Sequence, residues 1–208
     1  MKIIFLGDSI TAGSCASSLE KNYVSQVGQM LGCEVINCGI GGTRIARQTK
    51  NSTYHEHDID FNMRTILLDK TADKVFVFGG TNDYGHGDAK FGDKGDTDVY
   101  TFHGAVNTLY STLIGMYGKE NVIVILPMKR SDMYGMVNSV TGKRLIDYVE
   151  VIKYYVNLYG LKYLDFYNNC LPEPPEGESE FFADGLHPND KGYKVLAEKI
   201  CEFVKNDK

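Results

Sequence analysis

The stretch Lys2-Ile3-Ile4-Phe5-Leu6-Gly7-Asp8-Ser9-Ile10-Thr11 decides how the fold is read. Four consecutive apolar residues, Ile3 to Leu6, stop at a glycine followed by two small polar residues. A short unbroken apolar run closed by turn residues is how a strand covered on both faces of a parallel sheet reads. Working outward, four more runs have this character: Glu34–Asn37, Lys74–Phe78, Asn121–Leu126 and Lys162–Phe166. The intervals carry helical patterns at Ser18–Leu31, Asp58–Leu68, Thr101–Tyr117, Gly142–Tyr159 and Asn189–Val204. Within Thr101–Tyr117, for example, Val106, Leu109, Leu113, Ile114 and Tyr117 recur at helical spacing. Strands alternating with helices imply right-handed crossovers, hence about five parallel strands with helices on both faces. Two stretches read as loops: Tyr84–Thr97, rich in glycine, and Pro172–Glu180, acidic and proline-containing.

Composition bounds the function. The 208 residues carry no linker and no internal repeat, so residues 1–208 read as a single domain. Hydrophobic residues make up 43% and charged residues 24%, which fits a globular chain rather than a disordered or fibrous one. The net charge of −5, with no run of Lys and Arg to offset it, disfavours nucleic acid and anionic membranes as partners. No stretch approaches the ~20 apolar residues of a membrane span, and the four-residue run at the start is shorter than a signal-peptide core of ~7 residues or more. Five cysteines, Cys15, Cys33, Cys38, Cys170 and Cys201, form no C-x-x-C pair. An odd set of reduced thiols points to the cytoplasm, with each thiol acting as a small core residue.

Ligands of open parallel sheets bind beyond the carboxyl ends of the strands, so the residues after each strand matter most. Gly7-Asp8-Ser9 comes after the first, Gly39-Ile40-Gly41-Gly42 after the second, and Gly79-Gly80-Thr81-Asn82-Asp83 after the third. Asp184-Gly185-Leu186-His187 comes after the fifth, beyond the acidic loop. A serine hydroxyl needs a base to become a nucleophile, and His187 could serve. Asp184, three residues away, could accept the other ring N–H and fix the tautomer. Acyl transfer also develops an oxyanion, for which the N–H of Ser9, the N–H of Gly42 and the side-chain amide of Asn82 are candidate donors. Asp8, Asp83 and Tyr84, flanking these positions, are assigned to substrate contact. Each motif alone has an ordinary explanation: a turn and helix start at Gly-Asp-Ser, a cap and a surface histidine at Asp184 and His187, turn residues at Asn82 and Asp83. Chemistry is favoured because all of these explanations would otherwise have to coincide.

These residues carry a resemblance. Gly7-Asp8-Ser9-Ile10-Thr11, Asn37-Cys38-Gly39-Ile40-Gly41-Gly42, Gly80-Thr81-Asn82-Asp83 and Asp184-Gly185-Leu186-His187-Pro188 resemble, in order, the first, second, third and fifth blocks of the SGNH hydrolases, also called GDSL-type esterases and lipases. The first block departs only in Ile10, where many members have Leu. The resemblance implies a flavodoxin-like three-layer α/β/α sandwich and ester hydrolysis without metal or cofactor. It also implies a nucleophile at Ser9, a triad completed by Asp184 and His187, and oxyanion donors at Gly42 and Asn82. The expected substrate is a small-molecule ester with a short acyl group, O-acetyl groups on carbohydrates being one candidate.

Other readings compete. An acyltransferase would use the same acyl-enzyme. A flavodoxin-like flavin carrier would use Ser9-Ile10-Thr11-Ala12-Gly13-Ser14 as a phosphate-cradling loop, and a carbohydrate-binding relative would lack catalysis. His55-Glu56-His57 hints at a metal but lacks a third spaced ligand, so it reads as a solvated segment. Asp93, Asp96 and Asp98 fail the calcium-loop pattern. Lys129 and Arg130 read as a solvated loop. The P-loop, the third glycine of the dinucleotide fingerprint (Arg44 stands there) and the G-x-S-x-G elbow are all missing from the sequence.

Overall fold

A computed structural model describes residues 1–207. The expected strands form as β1 (Lys2–Gly7), β2 (Glu34–Gly39), β3 (Lys74–Phe78), β4 (Val122–Ile125) and β5 (Lys162–Leu164). They make one parallel sheet in the order β2-β1-β3-β4-β5. The helices are α1 (Ser9–Ala12), α2 (Tyr23–Leu31), α3 (Phe61–Arg64), α4 (Thr81–His86), α5 (Phe102–Tyr117), α6 (Leu145–Tyr159), α7 (Phe166–Asn169) and α8 (Asp190–Asn206).

The alternation of side chains along each strand builds two cores. Ile4, Leu6, Val75, Val77, Val122 and Val124 face α5 and α6. Ile3, Phe5, Phe76, Phe78, Ile123 and Ile125 face α2 and α8, where Phe5 stacks on Phe76 at 5.1 Å between ring centroids. Both faces of β1, β3 and β4 are therefore buried, which is why those strands read as continuous apolar runs. This is the flavodoxin-like α/β/α sandwich expected from the sequence.

Where boundaries moved, a capping side chain explains the shift. Asp165 accepts from Asn168 N–H and starts α7, so β5 stops at Leu164 rather than Phe166. Asn22 takes extended backbone and accepts from Ser25 N–H, splitting the expected Ser18–Leu31 helix into a 3-10 turn and α2. Asp60 caps α3 in the same way, and that segment continues only as a 3-10 turn to Leu67.

The strand order reverses between β1 and β3: the chain leaves β1 toward β2 on one side and returns to β3 on the other. The register pairs Gly7 with both Gly39 and Phe78. The loops after β1, β2 and β3 thus leave the sheet at one level, at the point where open α/β sheets hold their ligands.

Candidate active site

Ser9 is the first residue of α1. Asp8 caps that helix, its carboxylate accepting from Ile10 N–H at 3.0 Å. The short helix lies against the ends of both neighbouring strands. A Cβ on Gly39 would fall 2.1 Å from Ala12 N, so only glycine lets α1 sit where it does. Asn37 fastens the contact by donating to Thr11 O at 2.8 Å.

From the far end of the chain, the turn Ala183–His187 brings an imidazole to this hydroxyl. Ala183 N–H donates to His187 O, and Asp184 Oδ1 accepts from Leu186 and His187 N–H. The turn is held to the loop after β4 by Ser131 N–H donating to Gly185 O. Asn189 then caps α8. Ser9 Oγ lies 2.9 Å from His187 Nε2, and His187 Nδ1 lies 2.7 Å from Asp184 Oδ2. Burial raises the pKa of Asp184. The hydrogen bonds from the His187 ring and from two backbone N–H groups outweigh it, leaving the carboxyl below its usual range. An ionised Asp184 fixes the Nδ1–H tautomer, which leaves the Nε2 lone pair directed at Ser9.

Two further loops flank the hydroxyl. Gly41 lies beside Ser9, since a Cβ on it would be 3.9 Å from that of Ser9. Gly42 has φ +72°. Asn82, in the first turn of α4, donates from Nδ2 to Thr43 O at 3.0 Å, which couples the loop after β3 to the loop after β2. Nδ2 has two hydrogens, and this bond uses one.

Behind these donors lies a network that motif reading passed over. His86 Nε2 is 3.2 Å from Asn82 Oδ1, and His86 Nδ1 is 3.2 Å from Arg44 Nη1. Burial, reinforced by Arg44, lowers the His86 pKa to about 4, so the ring is neutral. Arg44 can only donate, so Nδ1 accepts and Nε2–H faces Asn82 Oδ1, which sets the amide with Nδ2 toward Thr43. Arg44 Nη1 also donates to Gly42 O at 3.1 Å. Beneath them, the buried Arg64 donates to Gly7 O, Cys38 O and Thr43 Oγ1, tying the ends of β1 and β2 to the Gly42 loop. Burial depresses even this guanidinium, to about 10. An arginine beyond a motif carries no spacing signal, so neither Arg44 nor Arg64 stands out in the sequence.

Several sequence assignments need correction. Asp8, Asp83 and Tyr84, assigned to substrate contact, are buried. Asp8 and Asp83 are 2% and 3% exposed, and burial raises each to about 6. The carboxylate of Asp83 is spent on the N–H groups of Ile45 and Ala46, and buried Tyr84 donates to Met136 O. Arg130 is not solvated: it pairs with Asp132 at 2.7 Å and lies over the Tyr84 ring, while Lys129 reaches Glu173 at 3.7 Å. His57 is half-buried, its ring against Gly42. Asp96 and Asp98 are occupied by Thr101 Oγ1 and by backbone N–H groups of their own turn. Of the five free cysteines only Cys201 is buried, and Cys15 is exposed. The segment read as a phosphate cradle turns its donors inward: Ala12 N–H goes to Asp8 O, and Gly13 and Ser14 N–H go to Ser9 O. Those three amides are not available to a flavin phosphate.

Known proteins share this fold. The profile of the GDSL-like lipase/acylhydrolase family matches residues 5–195. The chain belongs to that family. No curated protein matches it. Among solved structures, a protein from Lactobacillus plantarum shares 27% identity, covering 99% of this chain and 96% of its own, with a TM-score of 0.80. A lipase/acylhydrolase from Enterococcus faecalis shares 24% over 99% and 95%, at 0.68. Est24, a carbohydrate acetylesterase from Sinorhizobium meliloti, shares 15% over 99% and 98%, at 0.70. As a GDSL-like acylhydrolase the chain is a hydrolase. Among its described residues no helix is long and apolar enough to cross a membrane.

Proposed function

We propose that this GDSL-like hydrolase is a serine esterase acting on short-chain acyl esters through an acyl-enzyme. The observation that carries the reading is the pair of hydrogen bonds Ser9 Oγ–His187 Nε2 at 2.9 Å and His187 Nδ1–Asp184 Oδ2 at 2.7 Å. Ser9 Oγ bonds to the ester carbonyl carbon while its proton passes to His187 Nε2. Asp184 stabilises the resulting imidazolium without taking the proton. The oxyanion accepts from Ser9 N–H, Gly42 N–H and the second hydrogen of Asn82 Nδ2. The C–O bond to the alcohol breaks as His187 returns the proton to the leaving oxygen. Water then gives a proton to His187 and attacks the acyl carbon, and Ser9 leaves as the free hydroxyl.

The acyl group is small and the preferred alcohol is a carbohydrate, as in the acetylesterase that shares the fold. No observation favours acyl transfer to another acceptor over hydrolysis. On this reading residues 1–208 work as one domain without cofactor or metal, and the unpaired cysteines suit the reducing cytoplasm.

The test is hydrolysis of p-nitrophenyl acetate and of acetylated sugars. The wild type turns them over, and Ser9→Ala falls to the rate left by oxyanion stabilisation alone. A fluorophosphonate should add to Ser9 and not to Cys15. Wild-type turnover in Ser9→Ala defeats the proposal.

A further inference from the structure

We propose that Cys15, Asp184 and His187 form a binding site for a soft divalent cation of the zinc type, and that filling it switches the esterase off. The second half rests on the esterase reading; the first half does not.

The juxtaposition comes from two distant segments. One ligand atom from each residue, the Cys15 sulfur, an Asp184 carboxylate oxygen and a His187 ring nitrogen, lies within 4.8 Å of the other two. Cys15 and Asp184 are exposed and His187 is half-buried, so the cluster opens to solvent. Both walls are fixed to the start of α8. Tyr193 donates to Ser14 O at 2.7 Å, and Ser17 donates from N and Oγ to Asp190 at 2.8 and 2.6 Å. On the other side, the turn holding Asp184 and His187 runs straight into the Asn189 cap. The sulfur is thus held beside the imidazole by structure outside the cluster.

The donor set matches one kind of ion. Thiolate and imidazole together favour zinc-like cations over magnesium or calcium, which take oxygen ligands. With Zn–S near 2.3 Å and Zn–N and Zn–O near 2.0–2.2 Å, tetrahedral ligand atoms sit about 3.4–3.6 Å apart, inside the 4.8 Å that spans the three ligand atoms, and a cation on Nδ1 would open the 2.7 Å bond from His187 Nδ1 to Asp184 Oδ2. Thiolate and carboxylate contribute two negative charges, which neutralise a divalent cation. Binding releases the thiol proton to solvent. Three protein ligands leave the fourth position to water.

Inhibition results whichever ring nitrogen the cation takes. A neutral imidazole has one lone pair. A cation on Nε2 occupies the lone pair that would accept the Ser9 proton. A cation on Nδ1 moves the ring proton to Nε2, which then donates toward Ser9 Oγ and can accept nothing. Either way the general base is lost.

The test uses the full chain with Co²⁺ as spectroscopic probe and Zn²⁺ as inhibitor. Co²⁺ should give a thiolate-to-metal charge-transfer band in the near ultraviolet, which Zn²⁺ displaces and Cys15→Ser abolishes. Hydrolysis of p-nitrophenyl acetate should be inhibited by Zn²⁺ and restored by EDTA. Cys15→Ser should keep the basal rate, and its half-inhibitory Zn²⁺ concentration should rise at least tenfold. A wild type without the band overturns the site. A band that persists in Cys15→Ser also overturns it, by assigning the thiolate to another cysteine. A band without inhibition overturns the switch. Should the wild type hydrolyse no ester, the esterase reading fails, while the cobalt titration still decides the site.

Discussion

Replacing Gly42 with alanine separates two costs that usually arrive together. The residue has φ +72°, and an L-residue held in that region loses roughly 1–2 kcal/mol relative to glycine. The added methyl group would also sit 2.5 Å from His57 Nδ1 and 2.6 Å from Cε1, inside contact distance, so either the ring or the Gly42 peptide must shift. Gly32 supplies the control. It too has a positive φ, +60°, at the C-cap of α2, but a Cβ there meets nothing within 4 Å. Gly32→Ala therefore carries the backbone cost alone. Gly42→Ala adds displacement of the N–H assigned to the oxyanion, whose loss is worth about 3–4 kcal/mol, or ~10²–10³-fold in kcat.

Urea denaturation should place the two variants within about 1 kcal/mol of each other, both destabilised. Kinetics on p-nitrophenyl acetate should set them apart, with kcat near wild type for Gly32→Ala and down by roughly two orders of magnitude or more for Gly42→Ala. Trimming the ring in Gly42→Ala/His57→Ala gives the methyl group room and should recover part of kcat, a coupling that a double-mutant cycle reads directly. If Gly42→Ala keeps kcat within threefold of wild type, the N–H of Gly42 does not hold the oxyanion and the reasoning fails.

Further outcomes are expected. Asp184→Asn should fold normally yet lose about 10⁴ in kcat, because an amide can stabilise the wrong imidazole tautomer. Arg64→Met should lower stability by roughly 3 kcal/mol in urea, since it leaves the buried acceptors Gly7 O, Cys38 O and Thr43 Oγ1 short of a donor. His86→Phe keeps a ring but removes the Nε2–H that orients Asn82. It should lower kcat by less than the ~10²-fold of losing the donor itself, with little change in KM. Asp8→Asn keeps a capping side chain and removes a buried charge. The folded carboxyl of Asp8 is raised from 3.8 to about 6, so the native state binds more protons than the unfolded one between those values, and this group's contribution to stability falls as pH rises through them. Asp83, also raised to about 6, acts in the same sense and His86, depressed to about 4, in the opposite one, so the wild-type profile mixes them. The comparison is therefore made against wild type: Asp8→Asn should gain on it by up to about 3 kcal/mol between pH 4 and pH 7, and parallel pH profiles would refute the assignment.

The centre of the sheet was legible because β1, β3 and β4 are covered on both faces. Ile3 to Leu6 and Val75 to Phe78 are apolar at every position, and an apolar run of that length has few other places to go. The serine, the asparagine and the Asp–His turn were legible for a different reason: each comes after a strand, and a switch-point sheet gathers the loops that leave its strand ends. The strand register then does the rest, since pairing Gly7 with Gly39 and Phe78 brings three loops to one level.

The misreadings share one physical origin, which is that proximity along the chain to a reactive residue does not imply exposure. Asp8 and Asp83 sit one residue from Ser9 and Asn82, yet successive side chains at a helix start point in different directions, and both carboxylates turn inward to hold backbone N–H groups. Burying a carboxylate is costly unless it is hydrogen-bonded, so an acid in such a place is there to build the loop. The converse holds for Cys15, His57 and His86. None belongs to the four blocks: His57 and Cys15 reach their partners because separate segments of chain come together, while His86 lies one helical turn beyond Asn82 in α4. His57 lies against Gly42 and His86 behind Asn82, while Cys15 stands beside His187. The contacts of His57 and Cys15 depend on where loops return, which strand periodicity does not encode, whereas His86 needed only the i,i+4 spacing of a helix to be found. The residues that surround this site through returning loops are therefore recoverable from coordinates, whereas those assigned to the chemistry itself are recoverable from the positions at which strands end.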